Sequence, residues 1–134
     1  MSDLVFIDTS AWFAAIVPGD ANHAAAAKWF ADNRRSLATT DYVVDETLTL
    51  LRMRGENQRA MTLGARLFAG QLATVHYLTS EQIHAAWKIF QQFRDKNWSF
   101  TDCTSKVVIE ALSCTQAMAF DEHFRQFGAV AVEP

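Results

Sequence analysis

The sequence predicts a three-layer α/β/α domain with a central, mostly parallel sheet of about five short strands, formed by residues 1–134 as one unit. Three observations predict it. Apolar runs of four or five residues, such as Leu4–Ile7, Thr74–Leu78 and Ala117–Phe120, alternate with longer stretches that are apolar every three or four residues. The chain has no internal period, low-complexity tract or long linker. Finally, 134 residues, half of them apolar and including ten Phe and four Trp, suffice for one real core and are too few for two.

Each element has its own justification. Leu4-Val5-Phe6-Ile7 reads as a strand buried on both faces, running straight into Asp8. Ser10–Ile16 is a short apolar helix, with Thr9 or Ser10 as its cap and Pro18-Gly19 as its stop. A second helix runs from Asn22 to about Asn33 with Ala26, Trp29 and Phe30 on one face, and Ser36–Thr39 is the second strand. The stretch from Asp41 to Gly55 is rich in β-branched residues, which favours a strand locally. We read it as a helix because Val43, Thr47, Leu50 and Leu51 share a stripe, Thr40 or Asp41 can cap it, and Gly55 can close it. Glu46 then lies in its second turn.

Asn57–Ala69 is another helix, apolar at Ala60, Leu63, Leu67 and Phe68; Gly64 allows close helix packing and Gly70 ends it. After the third strand, Thr74–Leu78, Thr79 or Ser80 caps a helix from Glu81 to about Arg94, with Ile83, Ala86, Trp87, Phe90 and Phe93 inward. Thr101 caps a helix through Ala111 that places Asp102 in its first turn, with Cys103, Val107, Val108 and Ala111 on the buried side. Ala117–Phe120 is the fourth strand, followed by Asp121. Glu122–Gln126 is a brief helix, Gly128 a turn, and Ala129–Val132 the terminal strand.

Composition narrows the function. There is no eighteen-residue apolar run and no basic leader before an apolar segment, so a cytoplasmic protein without a membrane span is expected. Cys103 and Cys114 have no metal-ligand partners at short spacing and read as reduced, packed thiols. A formal charge of −3 argues against a general nucleic-acid coat, yet without four clustered carboxylates it becomes +1, which leaves room for local attraction to phosphate.

Those four are Asp8, Glu46, Asp102 and Asp121, each at the junction of an apolar segment with a turn or helix start. Ligands of open parallel sheets bind beyond the carboxyl ends of the strands. Two like charges at about 4 Å repel by roughly 4 kcal/mol at an effective dielectric of 20. Either a proton or a divalent cation must relieve such a group. Hard oxygen ligands without a His/Cys set suit Mg²⁺ or Mn²⁺ better than Zn²⁺, and those ions serve phosphodiester hydrolysis by activating water. Any single Asp after a strand is first read as an ordinary cap or turn residue, and it is four in register that lower that reading. Asp45, next to Glu46, replaces it if the helix phase is shifted, and Glu110 lies about 12 Å along its helix from Asp102, too far for a shared ion.

Weaker signals surround this set. His123 is read as a surface or packing residue, with substrate contact as the second reading. Arg52, Arg54 and Arg59 form either a solvated face or a phosphate- or acid-binding knot. Trp98, in the loop before Asp102, either packs or stacks on a base. Thr9, Ser10 and Thr101 are caps that can also hold a water. A phosphate-accepting receiver domain would need an Asp after the third strand and a late lysine, and both are absent; a dinucleotide-binding domain would need a glycine-rich turn where Asp8-Thr9-Ser10-Ala11 stands.

The segments Phe6-Ile7-Asp8-Thr9-Ser10-Ala11-Trp12, Thr40-Asp41-Tyr42-Val43-Val44-Asp45-Glu46-Thr47-Leu48, Ser99-Phe100-Thr101-Asp102-Cys103 and Ala119-Phe120-Asp121-Glu122-His123-Phe124 together resemble the PIN domain, the fold of metal-dependent ribonucleases that includes VapC-type toxins. The resemblance covers nearly the whole chain. It implies an acidic quartet at Asp8, Glu46, Asp102 and Asp121, with Asp121 the more variable member, acting through water. It implies RNA cleavage with one or two Mg²⁺ or Mn²⁺ ions, a homodimer, and an antitoxin whose tail lies across the groove near the second, third and fourth helices, close to Arg52 and Arg54. A catalytically silent interaction domain and a housekeeping nuclease without an antitoxin are the alternatives to a toxin.

Overall fold

The structure, a computed structural model, describes residues 3–127 and 131–134. Its strands are β1 (Val5–Ile7), β2 (Leu37–Thr40), β3 (Thr74–His76), β4 (Gln116–Met118) and β5 (Ala131–Glu133). They form one sheet in the order β3-β2-β1-β4-β5, and all four pairings are parallel. The expected mostly parallel sheet is therefore fully parallel among the described residues. Val5, Phe6 and Ile7 have no exposed surface, as a central strand covered on both faces requires.

The helices are α1 (Thr9–Ile16), α2 (His23–Asp32), α3 (Asp41–Met53), α4 (Asn57–Phe68), α5 (Ser80–Gln92) and α6 (Phe100–Ala111), with a 3₁₀ segment over Glu122–Phe127. The chain steps from β1 outward to β2 and β3, then returns across the sheet to β4 and β5. Right-handed crossovers on an outward and a returning path put their helices on opposite faces. The contacts agree: α1 packs on α2 and α3, and α3 on α4, while α5 packs on α6 and α6 on the 3₁₀ segment. The reversal leaves a crevice beyond the carboxyl ends of β1 and β4, where a doubly wound sheet binds ligands.

Several boundaries depart from expectation. Asp8 itself is the N-cap of α1, its carboxylate accepting from Ser10 N–H, so neither Thr9 nor Ser10 caps it. Ser99, not Thr101, caps α6 in a reciprocal capping box with Asp102. In both helices the cap is the last residue with extended backbone, whose side-chain oxygen accepts from an orphan first-turn amide two or three residues on, and sequence spacing did not fix which residue that is. The strand before Asp121 ends at Met118, so Asp121 stands three residues beyond it. Thr40 and Thr79 cap α3 and α5 as anticipated, and Gly55 and Gly70 close α3 and α4 with φ of +76° and +72°. Gly128, Ala129 and Val130 of the expected turn and terminal strand lie outside the described residues; the strand is seen over Ala131–Glu133.

The core centres on Phe6, Ile7, Val43, Leu51, Leu63, Met118 and Phe124. Phe124 is fully buried and stacks on Phe6 with ring centroids 6.1 Å apart, pinning the 3₁₀ segment under the sheet edge. At Gly64 an added Cβ would lie 3.3 Å from Leu48, so α3 and α4 approach closely there. Trp87 and Phe90 do not face inward: they are 49% and 41% exposed, and Ala86 with the partly buried Ile89 forms the packed face of α5 instead. Phe68 is likewise exposed, and on α6 it is Ile109, not Ala111, that is buried. Cys103 and Cys114 are buried free thiols, Cys103 held up to about 11 by burial and by the neighbouring Asp102 charge. Among the described residues, no helix is long and apolar enough to cross a membrane.

Candidate metal centre

Asp8 enters the crevice from the end of β1. As the N-cap it is fixed by its own backbone, and its carboxylate also accepts from the Ser10 hydroxyl at 2.9 Å. That hydroxyl in turn accepts from Phe120 N–H at 2.9 Å, tying the residues after β4 to those after β1. Asp8 is buried, and burial pushes its carboxyl from 3.8 up to about 7, against the opposing pull of Ser10; the charge of Asp102 raises it further.

Asp102 comes from the first turn of α6, where the capping box with Ser99 fixes it. It is buried too, and burial raises its carboxyl above the usual range, with Asp121 adding to the effect. Glu46, in the second turn of α3, is raised by burial and then by Asp102 and Asp121; the hydroxyls of Thr9 and Thr101 oppose this. The four acids therefore share one electrostatic neighbourhood, with Ser10 on Asp8 and Thr9 and Thr101 on Glu46. The alternative phase for α3 fails, because Asp45 is exposed.

The tightest grouping is not the quartet. Asp102, Asp121 and His123 each offer one ligand atom within 4.8 Å of the others. His123 Nδ1 lies 2.8 Å from Asp102 Oδ2 and 3.3 Å from Asp121 Oδ1, so a carboxylate on either side makes Nδ1 the protonated ring nitrogen. Asp121 also accepts from the His123 amide at 3.0 Å. Reading His123 as surface or packing was wrong: the 3₁₀ turn, anchored by Phe124, swings it back into the crevice. The signal in the sequence was its place two residues after an acid at a strand end, one residue before an apolar anchor.

Other residues are not brought in. Arg52 donates to Asn57 at 2.8 Å and Arg54 lies over the Phe13 ring at 5.8 Å, both at the far end of α3. Trp98 is buried, its Nε1 donating to Gln126 at 2.7 Å and its ring set edge-on to Phe127, so it packs and does not stack on a base. Among the described residues, no Lys or Arg forms an ion pair with Asp8, Glu46, Asp102 or Asp121. Clustered carboxylates raised by burial and lacking a fixed cation fit a divalent ion with hard oxygen ligands.

Comparison with known proteins agrees with this geometry. The PIN domain family model matches residues 5–130. The chain is 32% identical to the 23S rRNA-specific endonuclease VapC20 of Mycobacterium tuberculosis in two strains, over 98% of this chain and 99% of theirs. The crystal structure of that protein, described as a sarcin-ricin loop cleaving toxin, superposes with a TM-score of 0.90 over 97% of this chain and 99% of that one. VapBC2 of Rickettsia felis, bound to a DNA fragment from its promoter, shares the fold at a TM-score of 0.67, 10% identity and 97% of each chain.

Proposed function

The chain belongs to the PIN domain family, and on that premise we propose that it is a divalent-metal-dependent endoribonuclease, one nuclease domain acting as the toxin of a toxin–antitoxin pair. The observation that carries the reading is the crevice at the β1/β4 reversal, where buried carboxylates raised by burial stand together without a fixed cation. The 32% identity over full length to a 23S rRNA-specific endonuclease supports RNA as the substrate and ribosomal RNA as the first to test.

Asp8, Glu46, Asp102 and Asp121 would hold one or two Mg²⁺ or Mn²⁺ ions, with His123 beside the last two. When bound, the metal supplies polarisation of the phosphodiester and activation of water. Asp8 and Asp102 are each locked by a helix cap, so they keep their geometry as charge changes at the scissile bond. Glu46 is only half-buried, its carboxyl raised above the usual range by burial and by the charges of Asp102 and Asp121. The hydroxyls of Thr9 and Thr101 oppose the rise of its carboxyl, and Ser10 holds Asp8.

A homodimer and an antitoxin belong to the same reading. Leu48, Thr49, Arg52, Met53, Ala60, Met61 and Gly64 line a groove of about 370 Å³ between α3 and α4, with the exposed Met53 and Met61 at its mouth, which supports this side as the seat of an antitoxin segment.

The test is cleavage of total RNA by the purified chain under titration of Mg²⁺ and Mn²⁺, with chelator as control. Asp8→Asn and Asp102→Asn should each lower the rate by orders of magnitude while the far-ultraviolet circular dichroism stays unchanged. Rates equal to the parent in both variants would sink the assignment.

A further inference from the structure

Helix α5 presents to solvent a surface its sequence marks as unusual. After Glu81 in its first turn, its one charged side chain is Lys88, followed by Arg94 just beyond its end, both exposed. In the midst of these stand Trp87 and Phe90, stacked on each other with centroids 5.9 Å apart and an interplanar angle of 21°. The single acid in the following loop, Asp95, sits 3.9 Å from Lys96. On a chain of net charge −3 this is a locally cationic, aromatic face.

The rings continue toward the crevice. Phe90 meets Phe100 edge-on at 6.0 Å, and Phe100 meets Tyr42 at 6.1 Å. Phe100 is two residues before Asp102, and Tyr42 is one helical turn before Glu46 on the same face of α3. A path of four rings thus leads from exposed helix surface to the mouth of the acidic centre. Aromatic faces beside cations are what a single-stranded nucleic acid needs, since every base has a face to stack and every phosphate a charge to meet.

We propose that Trp87, Phe90, Phe100 and Tyr42 form a base-stacking platform that feeds a single-stranded RNA segment to the acidic centre, with Lys88 and Arg94 meeting its phosphates. This rests on the ribonuclease reading above and specifies how that site grips its substrate. Two exposed cations, Lys88 and Arg94, flank the rings, which suits a phosphate backbone; a second copy of the chain seated on the same rings is the outcome that the sedimentation measurement below detects.

The test uses the full chain carrying Asp8→Asn, to prevent cleavage, and short fluorescein-labelled oligoadenylate and oligouridylate. By fluorescence anisotropy, Trp87→Ala and Phe90→Ala should each weaken binding of both probes by about 5- to 100-fold, the range of one lost base stack. Trp87→Phe should restore most of the affinity. Phe68→Ala, at a still more exposed ring at the end of α4, should leave it unchanged. Equal affinity in both alanine variants, or no binding by the parent, overturns the platform. So does a loss of affinity that accompanies a shift from dimer to monomer in sedimentation velocity, which assigns the rings to a contact between copies. Ring-dependent binding, together with no RNA cleavage under Mn²⁺ by the chain with its native Asp8, upholds the platform and removes the ribonuclease reading. Cleavage that survives with ring-independent binding does the reverse.

Discussion

At the residue scale the decisive quantity is the cost of an uncompensated charge at Asp8. Its carboxyl is held up at about 7 by burial, so the folded, metal-free protein binds this proton more tightly than the unfolded chain does. The associated stabilisation is complete below about pH 4 and is lost as pH rises through 7. For a shift from 3.8 to about 7 it amounts to roughly 4 kcal/mol at most. We therefore expect the melting temperature of the metal-free protein to fall between pH 5 and pH 8, with Glu46 and Asp102 contributing in the same direction. Asn keeps the capping geometry without the charge. Asp8→Asn should accordingly flatten that pH dependence and stabilise the metal-free protein at pH 8. A melting temperature in the variant that still falls as steeply as the parent's would refute the account.

At the scale of elements, the crevice depends on caps and on one buried anchor. Ser99→Ala removes the acceptor for the Asp102 amide and should cost about 1 kcal/mol. It should also slow cleavage, because Asp102 loses one half of its capping box; Thr101→Ala leaves the box intact and should cost less stability. Urea titration of the two variants checks the order. Phe124→Ala should cost about 3–5 kcal/mol as a fully buried ring is deleted. The same cavity frees the 3₁₀ segment that carries His123, so metal affinity should fall along with stability, measurable by isothermal calorimetry with Mn²⁺. The close approach of α3 and α4 gives a third expectation. Gly64→Ala gains up to about 1 kcal/mol of helix propensity against a methyl that Leu48 must yield to by a few tenths of an ångström, so its net effect is small. Gly64→Val overpacks the contact and should lose about 1–3 kcal/mol.

At the scale of the whole molecule, cation binding and folding are coupled. A site assembled from β1, α3, α6 and the segment after β4 exists only in the folded chain, so a bound ion stabilises by mass action. At one hundred times its dissociation constant, Mn²⁺ should add about 2.7 kcal/mol. Most of that increment should vanish in Asp102→Asn, read as the difference in melting temperature with and without the ion.

The sequence by itself determined the alternation of strands and helices, the parallel sheet, and the four acids at the junctions. It did so because burial on both faces writes a central strand as a continuous apolar run, and because four carboxylates at successive junctions are more than separate caps and turns require. Tertiary structure alone decided which of the neighbouring side chains join them. Whether Asp8 or Thr9 caps α1, and Ser99 or Thr101 caps α6, turns on which residue is the last with extended backbone before the helix, which composition does not encode. His123 enters the crevice only because Phe124 is pulled under Phe6, a contact between residues far apart in the chain. The same non-local packing decided α5: a helix with a broad apolar face can bury only part of it against α6, and the rings left over, Trp87 and Phe90, face solvent, with Phe90 against Phe100.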